Sequence, residues 1–171
     1  PAGVCLVIVR KDLLGARELG CCPSVLSYAT AASTKPIPNV YNTPNMLSVR
    51  AVHLMLEDVR AKGGLKRCEE ICVARAAQLY HLIDSSHGFY ACRVAPAARS
   101  RTTIPFNIRG GDPHLEALFR TQAEQVGLYQ IFGHHSVGGL RVCLYNSVSD
   151  ASIHVLLRFL LSFQREHGSA Q

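Results

Sequence analysis

The residues best suited to chemistry form a glycine-rich loop at 133–139, Gly-His-His-Ser-Val-Gly-Gly, which is followed by Arg141. Glycines let a backbone approach a ligand closely. Imidazole N–H groups donate hydrogen bonds, and a guanidinium binds a carboxylate through two parallel bonds. The loop is therefore a candidate site for a small dianion, with His134 and His135 on phosphate oxygens and Arg141 on a carboxylate. An ordinary loop whose arginine forms a structural ion pair fits the same residues, and their types alone leave both interpretations open.

A second candidate is the segment Tyr41-Asn-Thr-Pro44, which precedes an amphipathic helical pattern. The Asn42 carboxamide and the Thr43 hydroxyl would lie beside a helix N-terminus, where unpaired backbone N–H groups attract phosphate. The simpler interpretation is that Thr43 or Asn45 caps the helix and has no other role. Taken alone, this motif favours the simpler interpretation.

Standard catalytic and metal-binding motifs are absent from the sequence. There is no Walker loop, GxGxxG, HExxH or GxSxG. Cys68 and Cys72 are one helical turn apart, but a metal site would need two more ligands that do not occur nearby. His134 and His135 are adjacent, so in an extended segment they point to opposite faces and are poorly placed to share an ion. No metal site is predicted.

Hydrophobic patterning predicts an α/β protein. Residues 4–9 form an apolar, β-branched run typical of a strand buried in a parallel sheet. Residues 23–45 form a long irregular connection, and two amphipathic helices follow it on either side of Gly63-Gly64. From residue 64 the predicted order is α-β-β-α-β-α, with helices on one face of a small sheet. The predicted strands are 88–94, 102–108 and 140–144, and the last two helices start at Asp112 and Ser149.

Composition limits the classes of partner. The 171 residues carry 18 Lys and Arg against 12 Asp and Glu, and 14 of the 18 cations are arginine, which favours an anionic ligand. The cations are scattered, so no nucleic-acid partner is predicted. No apolar run reaches the roughly 18 residues of a membrane span, so no membrane partner is predicted either. Seven cysteines without a CxxC pair predict buried, reduced thiols in a reducing compartment.

Taken together, the motifs resemble the phosphoserine aminotransferase family, whose members are transaminases of the type I fold that depend on pyridoxal 5'-phosphate (PLP). The resemblance covers nearly the whole chain and rests on the order and spacing of Pro1-Ala-Gly-Val4, Ile8-Val-Arg-Lys-Asp-Leu-Leu-Gly15, Cys22-Pro-Ser-Val-Leu26, Tyr41-Asn-Thr-Pro44, Gly88-Phe-Tyr90, Ile104-Pro-Phe106, Gly133-His134, Ser136-Val-Gly-Gly139 and Leu144-Tyr-Asn146.

The resemblance implies a fold, an activity and a setting. Residues 1–63 would be the end of the large PLP-binding domain, with the cofactor-phosphate loop and an interdomain helix, and residues 64–171 would be the small C-terminal α/β domain. The family transfers an amino group between glutamate and 3-phosphohydroxypyruvate and so makes phosphoserine for serine biosynthesis. The resemblance also implies a homodimer whose active sites are shared between subunits, and a cytoplasmic protein.

Residue roles follow from the same resemblance. Asn42 and Thr43 would bind the cofactor phosphate across the subunit interface. His134 would bind the substrate phosphate, and Arg141 would bind the α-carboxylate. His135 stands where the family has arginine, so affinity for the phosphorylated substrate should be weaker and should depend on pH in the range where imidazoles titrate.

The family's Schiff-base lysine precedes Pro-Ala-Gly-Val, the segment with which this sequence starts. None of Lys11, Lys35, Lys62 and Lys66 matches its position. We therefore expect these residues to be the C-terminal portion of a longer enzyme and to be inactive alone, with no catalytic residue of their own.

Two alternatives remain. The first is a short paralogue without the lysine, which binds small anions or a full-length subunit. The second is a nucleic-acid-binding α/β module, because residues 87–94 faintly resemble the aromatic strand of an RNA-recognition motif and four arginines lie near them in sequence: Arg93, Arg99, Arg101 and Arg109. The predicted element order disagrees with that motif.

Overall fold

The computed structural model describes residues 2–15 and 18–168. The chain divides into two compact units, Pro1–Ala61 and Lys62–Gln171. The domain boundary expected from the sequence, after Gly63, lies two residues further along the chain.

The first unit contains two α-helices, α1 (Tyr28–Ser33) and α2 (Met46–Ala61), and two 3₁₀ turns at Lys11–Leu13 and Ser24–Leu26. Asn45 starts α2, because its Oδ1 accepts a hydrogen bond from the backbone N–H of Ser48 at 3.1 Å. The Ser48 hydroxyl donates to the Ala2 carbonyl at 2.9 Å and so ties the first residues to this helix.

The predicted strand at residues 4–9 is wrong. This segment is not a strand and it is largely exposed, with Leu6 74% and Ile8 101% accessible. An apolar run with β propensity becomes a strand only where neighbouring backbone completes its hydrogen-bond ladder. Among residues 2–15 and 18–168, no segment pairs with it.

The irregular connection expected at 23–45 is partly helical. Ser27 accepts a hydrogen bond from the Thr30 N–H at 3.0 Å and caps α1, which is six residues long. The prolines at both ends of this stretch favour an irregular connection. Between them, however, a serine cap is followed by five residues of which three are alanine, a sequence that favours a short helix.

The described α-helices and strands of the second unit follow the predicted order α-β-β-α-β-α: α3 (Gly64–Asp84), β1 (Tyr90–Ala91), β2 (Thr103–Ile108), α4 (Pro113–Gln125), β3 (Leu140–Cys143) and α5 (Asp150–His167). A 3₁₀ turn at Pro96–Ala98 lies between β1 and β2. The strands form one antiparallel sheet in the order β1-β2-β3. β1 is shorter than the predicted strand 88–94. The α/β fold class predicted from the sequence is confirmed.

Local capping explains where two of these helices begin. The Asp112 carboxylate accepts from the backbone N–H groups of His114 and Leu115 at 2.9 and 3.2 Å, and Pro113 occupies the first helical position of α4. Ser149 caps α5 by accepting from the Ser152 N–H at 3.1 Å. Both starts were predicted from sequence.

Aromatic side chains form the core of the second unit. Phe119 of α4 is fully buried and packs edge-on against Phe159 and Phe163 of α5, with ring centroids 4.9 and 5.0 Å apart. Tyr90 of β1 is 2% exposed, and its hydroxyl donates to the Leu160 carbonyl of α5 at 2.8 Å. Burial raises the pKa of the Tyr90 phenol, so it remains a neutral donor.

The structure gives a different account of the thiols from the composition. All seven cysteines are free, but Cys5 and Cys21 are exposed and the other five are half-buried, so the predicted burial of the thiols is wrong. Cys5 lies in the exposed segment at residues 4–9, where the apolar context that predicted its burial has no packing partner. Among the described helices, none combines the length and apolar composition needed to cross a bilayer.

The Tyr90 hydroxyl offers a test of how the sheet is held to α5. We expect Tyr90→Phe to lower the free energy of unfolding by about 0.5–1.5 kcal/mol, because one buried hydrogen bond is lost while the ring remains. Tyr129, which is 69% exposed, provides the control: Tyr129→Phe should change the value by less than about 0.5 kcal/mol. Urea unfolding followed by circular dichroism measures both, and equal effects would contradict the assignment.

Candidate functional site

The glycine-rich loop is a closed hairpin held by its own backbone. The Gly133 N–H donates to the Gly139 carbonyl at 2.9 Å, and the N–H groups of Val137 and Gly138 both donate to the His134 carbonyl, at 2.9 and 2.8 Å. Gly138 has a φ of 73°, a left-handed conformation that favours glycine. A Cβ on Gly133 would collide with the Gly138 carbonyl. Both glycines are therefore required by the shape of the hairpin.

The structure brings His134 and His135 together on this hairpin. Their ring centroids are 4.2 Å apart in an edge-on arrangement, and both side chains are exposed. The Ser136 N–H donates to His134 Nδ1 at 3.3 Å, which leaves Nε2 as the protonated nitrogen of a neutral ring. His135 Nδ1 lies 3.1 Å from the Ser136 hydroxyl. Each imidazole thus keeps Nε2 available for an outside ligand.

Arg141 lies on β3 and is opposite Pro105 of β2. Leu140 and Val142 point into the core, so alternation along the strand places Arg141 on the other face of the sheet, where it is half-buried. Its guanidinium makes no ion pair or side-chain hydrogen bond with any described residue. The alternative interpretation required a structural ion pair, and no described residue forms one with Arg141. Its guanidinium can therefore bind an anion.

The strand end next to Arg141 carries two interacting polar groups. The pKa of the Tyr145 phenol is raised above its ordinary value, chiefly by a hydrogen bond with the Cys143 thiol, and the positive charge of Arg141 opposes this rise. Cys143 follows Arg141 by two residues and shares its face of the sheet.

Asn42 and Thr43 lie in the first unit, between α1 and α2, and both are exposed. Asn45, not Thr43, caps α2. Neither Asn42 nor Thr43 uses its side chain in a hydrogen bond to the described residues. The Tyr41 hydroxyl donates to Ser24 Oγ at 3.0 Å and anchors the segment. Asn45 therefore has the capping role that would have explained Thr43 without a ligand.

The arginines that suggested a nucleic-acid surface are engaged within the protein. Arg99 forms two hydrogen bonds with the Asp84 carboxylate, at 2.6 and 2.8 Å, and this contact lowers the pKa of Asp84. The other contacts are Arg101 with Glu69 at 2.7 Å, Arg109 with the carbonyl of His167 at 2.8 Å, and Arg93 with the carbonyl of Gly110 at 3.4 Å. Arg99 and Arg101 are paired with carboxylates, whereas Arg93 and Arg109 contact neutral carbonyls, so the four arginines do not present a common surface of free positive charge.

Sequence reasoning missed two buried polar residues beside the hairpin. Asn107 on β2 is 7% exposed and lies opposite Ala91 of β1, and Glu116 on α4 is 6% exposed. A signal for Asn107 was present, because it is the one amide in the otherwise apolar stretch Ile104-Pro-Phe-Asn-Ile108. No signal in the sequence marked Glu116, because an acidic residue in the first turn of a helix is usually explained by the helix dipole.

Three comparisons with known proteins agree. Residues 1–156 match the family described as aminotransferase class-V. A phosphoserine aminotransferase from Bordetella parapertussis is 41% identical over 168 residues, which are 98% of this chain and 43% of that protein. The corresponding enzyme from Nitrosomonas europaea is 38% identical over the same number of residues. The chain thus spans less than half the length of the curated relatives that it matches.

Solved structures give the same result for the fold. Phosphoserine aminotransferase from Bacillus circulans superposes with a TM-score of 0.85 at 34% identity, covering 94% of this chain and 43% of that one. A PLP-bound phosphoserine aminotransferase from Trichomonas vaginalis gives a TM-score of 0.82 at 27% identity, covering 90% and 42%. The described residues therefore have the fold of part of these enzymes.

The hairpin predicts the effect of one methyl group. We expect Gly133→Ala to lower the free energy of unfolding by about 1–3 kcal/mol and to open the 133–139 hairpin, because the new Cβ must displace the Gly138 carbonyl. Hydrogen exchange of the Val137 and Gly138 amides should accelerate. Gly20→Ala is the matched control, since no atom lies within 4 Å of its Cβ position. Unchanged exchange in Gly133→Ala would contradict the described geometry.

Proposed function

The chain belongs to the aminotransferase class-V family, and from that membership we propose that it is part of a phosphoserine aminotransferase. The proposed reaction is PLP-dependent amino transfer between glutamate and 3-phosphohydroxypyruvate, which yields phosphoserine. Relatives with that name match 98% of the chain at about 40% identity. Because the chain spans 43% of their length, the remaining residues of the active site would come from outside this 171-residue sequence.

One observation carries the proposal: the Arg141 guanidinium makes no ion pair among the described residues and follows a hairpin that presents two imidazoles. A half-buried cation without a counter-ion is costly unless an anion joins it. A carboxylate on Arg141 and a phosphate on His134 and His135 would satisfy both ends of a phosphorylated keto acid. The same carboxylate contact would serve glutamate.

Asn42 and Thr43 fit the phosphate of PLP. Their side-chain donors are exposed and free of partners in the described structure, and the 16-residue helix α2 begins four residues after Asn42. N–H groups in the first turn of a helix favour an anion nearby. PLP, when bound, supplies the electron sink that makes amino transfer feasible. The contribution of Asn42 and Thr43 is to hold its phosphate.

The roles of this chain's own side chains are binding and orientation. Arg141, fixed on a strand, would hold the α-carboxylate through two parallel hydrogen bonds and so set the direction of the Cα–H bond. His134, whose Nδ1 is occupied by the Ser136 N–H, would donate from Nε2 to a phosphate oxygen. None of the four lysines is assigned the cofactor-linking role, so these residues alone would be inactive.

The proposal extends to assembly and compartment. We place the enzyme in the cytoplasm as a homodimer that shares its active sites. Seven free thiols are compatible with a reducing compartment. Large exposed apolar side chains in the first unit, such as Ile8 and Leu47, are the kind of surface that a subunit interface buries.

The intact mass of the native protein after borohydride reduction tests the proposal. Reduction fixes PLP to its lysine, so a species of about twice 18.7 kDa or more that carries one phosphopyridoxyl group is expected. A species of 18.7 kDa without the adduct would refute the proposal. That result would leave a short protein without the lysine, one that binds anions or a full-length subunit, as the alternative.

His135 makes a separate prediction about the phosphorylated substrate. A neutral imidazole donates one hydrogen bond, whereas a guanidinium offers five N–H donors and a permanent positive charge. His135→Arg should therefore lower the KM for 3-phosphohydroxypyruvate about tenfold, because a charged hydrogen bond replaces a neutral one. The kinetic assay uses the complete PLP-loaded enzyme.

His114→Arg, at an exposed position on α4, adds the same charge elsewhere; it is the matched control and should leave this KM unchanged. An equal KM in wild type and His135→Arg would contradict the assigned role of His135.

A further inference from the structure

A cavity of about 370 Å³ lies beside the hairpin, within the second unit, and Pro105, the residue opposite Arg141, is part of its lining. Its polar lining comes from Arg93, Asn107 and Glu116, and one wall is the backbone of Gly138 and Gly139. None of these three side chains has a part in the proposed amino transfer. The volume lies at the lower end of the range for small-molecule sites.

The register of the sheet creates this space. Asn107 of β2 pairs with Ala91 of β1, and on its other side Gly139 precedes β3. A Cβ on Gly139 would lie 3.0 Å from the Phe106 carbonyl and 3.8 Å from the Asn107 Cβ. Because both neighbours of Asn107 are small, the outer face of the sheet is hollow at this point.

Arg93 is held at the cavity by Asn107. With the amide oriented to satisfy both of its ends, Asn107 donates from Nδ2 to the Ala91 carbonyl at 3.0 Å and accepts at Oδ1 from Arg93 Nε and Nη2, at 3.0 and 3.1 Å. Arg93 Nη2 also donates to the Gly110 carbonyl at 3.4 Å. All these acceptors are neutral. The guanidinium is therefore oriented by neutral acceptors; Arg93 is exposed to solvent, and no described carboxylate pairs with it.

Glu116 carries the opposite charge. The residue is 6% exposed, and its one hydrogen bond within the described structure is from the Ile108 N–H to Oε1 at 3.3 Å. No described cation lies within ion-pair distance. The first turn of α4 offsets part of its charge. A buried carboxylate with so little compensation is costly, and a cationic group entering the cavity would relieve that cost.

We propose that this cavity binds a small α-amino acid in its zwitterionic form. The ligand carboxylate would pair with Arg93 and the ligand ammonium with Glu116, so each fixed charge would meet its counter-ion. The volume of about 370 Å³ is large enough to admit a compact amino acid such as glycine or serine. This site stands on the geometry of the second unit and does not depend on the proposed transfer reaction.

Calorimetric titration of the native protein with glycine tests the proposal. We expect saturable binding that weakens at least tenfold for N-acetylglycine, which lacks the ammonium, and for glycine methyl ester, which lacks the carboxylate. Arg93→Gln and Glu116→Gln should each weaken glycine binding at least tenfold. Arg158→Gln and Glu124→Gln, at exposed positions on α5 and α4, are the matched controls and should have no effect.

Arg141→Gln separates this cavity from the proposed substrate site, because glycine binding at the cavity should survive that substitution. Three results would overturn the proposal: no saturable binding, loss of binding in Arg141→Gln, or equal binding of acetate and glycine. Glu116→Gln keeps the acceptor for the Ile108 N–H, and circular dichroism verifies its fold. If that variant unfolds, the ligand series in the unaltered protein still decides the question.

Discussion

The alternation of side chains along three short strands is the constraint on which the second unit depends. Tyr90, Phe106 and Leu140 face the aromatic core, and the Tyr90 hydroxyl fixes β1 to α5. Because these inward-facing side chains are packed in the core, the pairing register of the strands is fixed. A shift of one residue would exchange the inner and outer faces of the sheet. Arg141 and Asn107 owe their position on the outer face to this core.

The two units differ in how much of their structure could be predicted from sequence. In the second unit the start signals are local: Asp112-Pro113 and Ser149 mark helix N-termini, and the α-β-β-α-β-α order follows from periodicity. In the first unit residues 4–9 have the composition of a buried strand but lie exposed. Strand formation depends on partners that no local pattern contains, whereas capping is decided within four residues.

The candidate sites show the same division. His134, His135 and Arg141 could be selected from residue types and spacing, because glycines, imidazoles and a guanidinium in one loop indicate an anion. Glu116 could not, and Asn107 was marked only as the one amide of an apolar stretch, since the importance of both comes from burial, and burial is set by elements distant in sequence. Ala91 and Gly139, which make room beside Asn107, precede and follow it by 16 and 32 positions.

Three backbone N–H groups of the hairpin at 133–139 donate hydrogen bonds to carbonyls within the hairpin. The N–H groups of Val137 and Gly138 are both given to the His134 carbonyl, and that of Gly133 to Gly139. Those three amides are not available to a ligand, so a ligand at the tip of the hairpin would be contacted by side chains. The shape of the loop rests on backbone hydrogen bonds. In the proposed role of His135, natural variation at that position would change ligand preference one substitution at a time, without a compensating change in the loop.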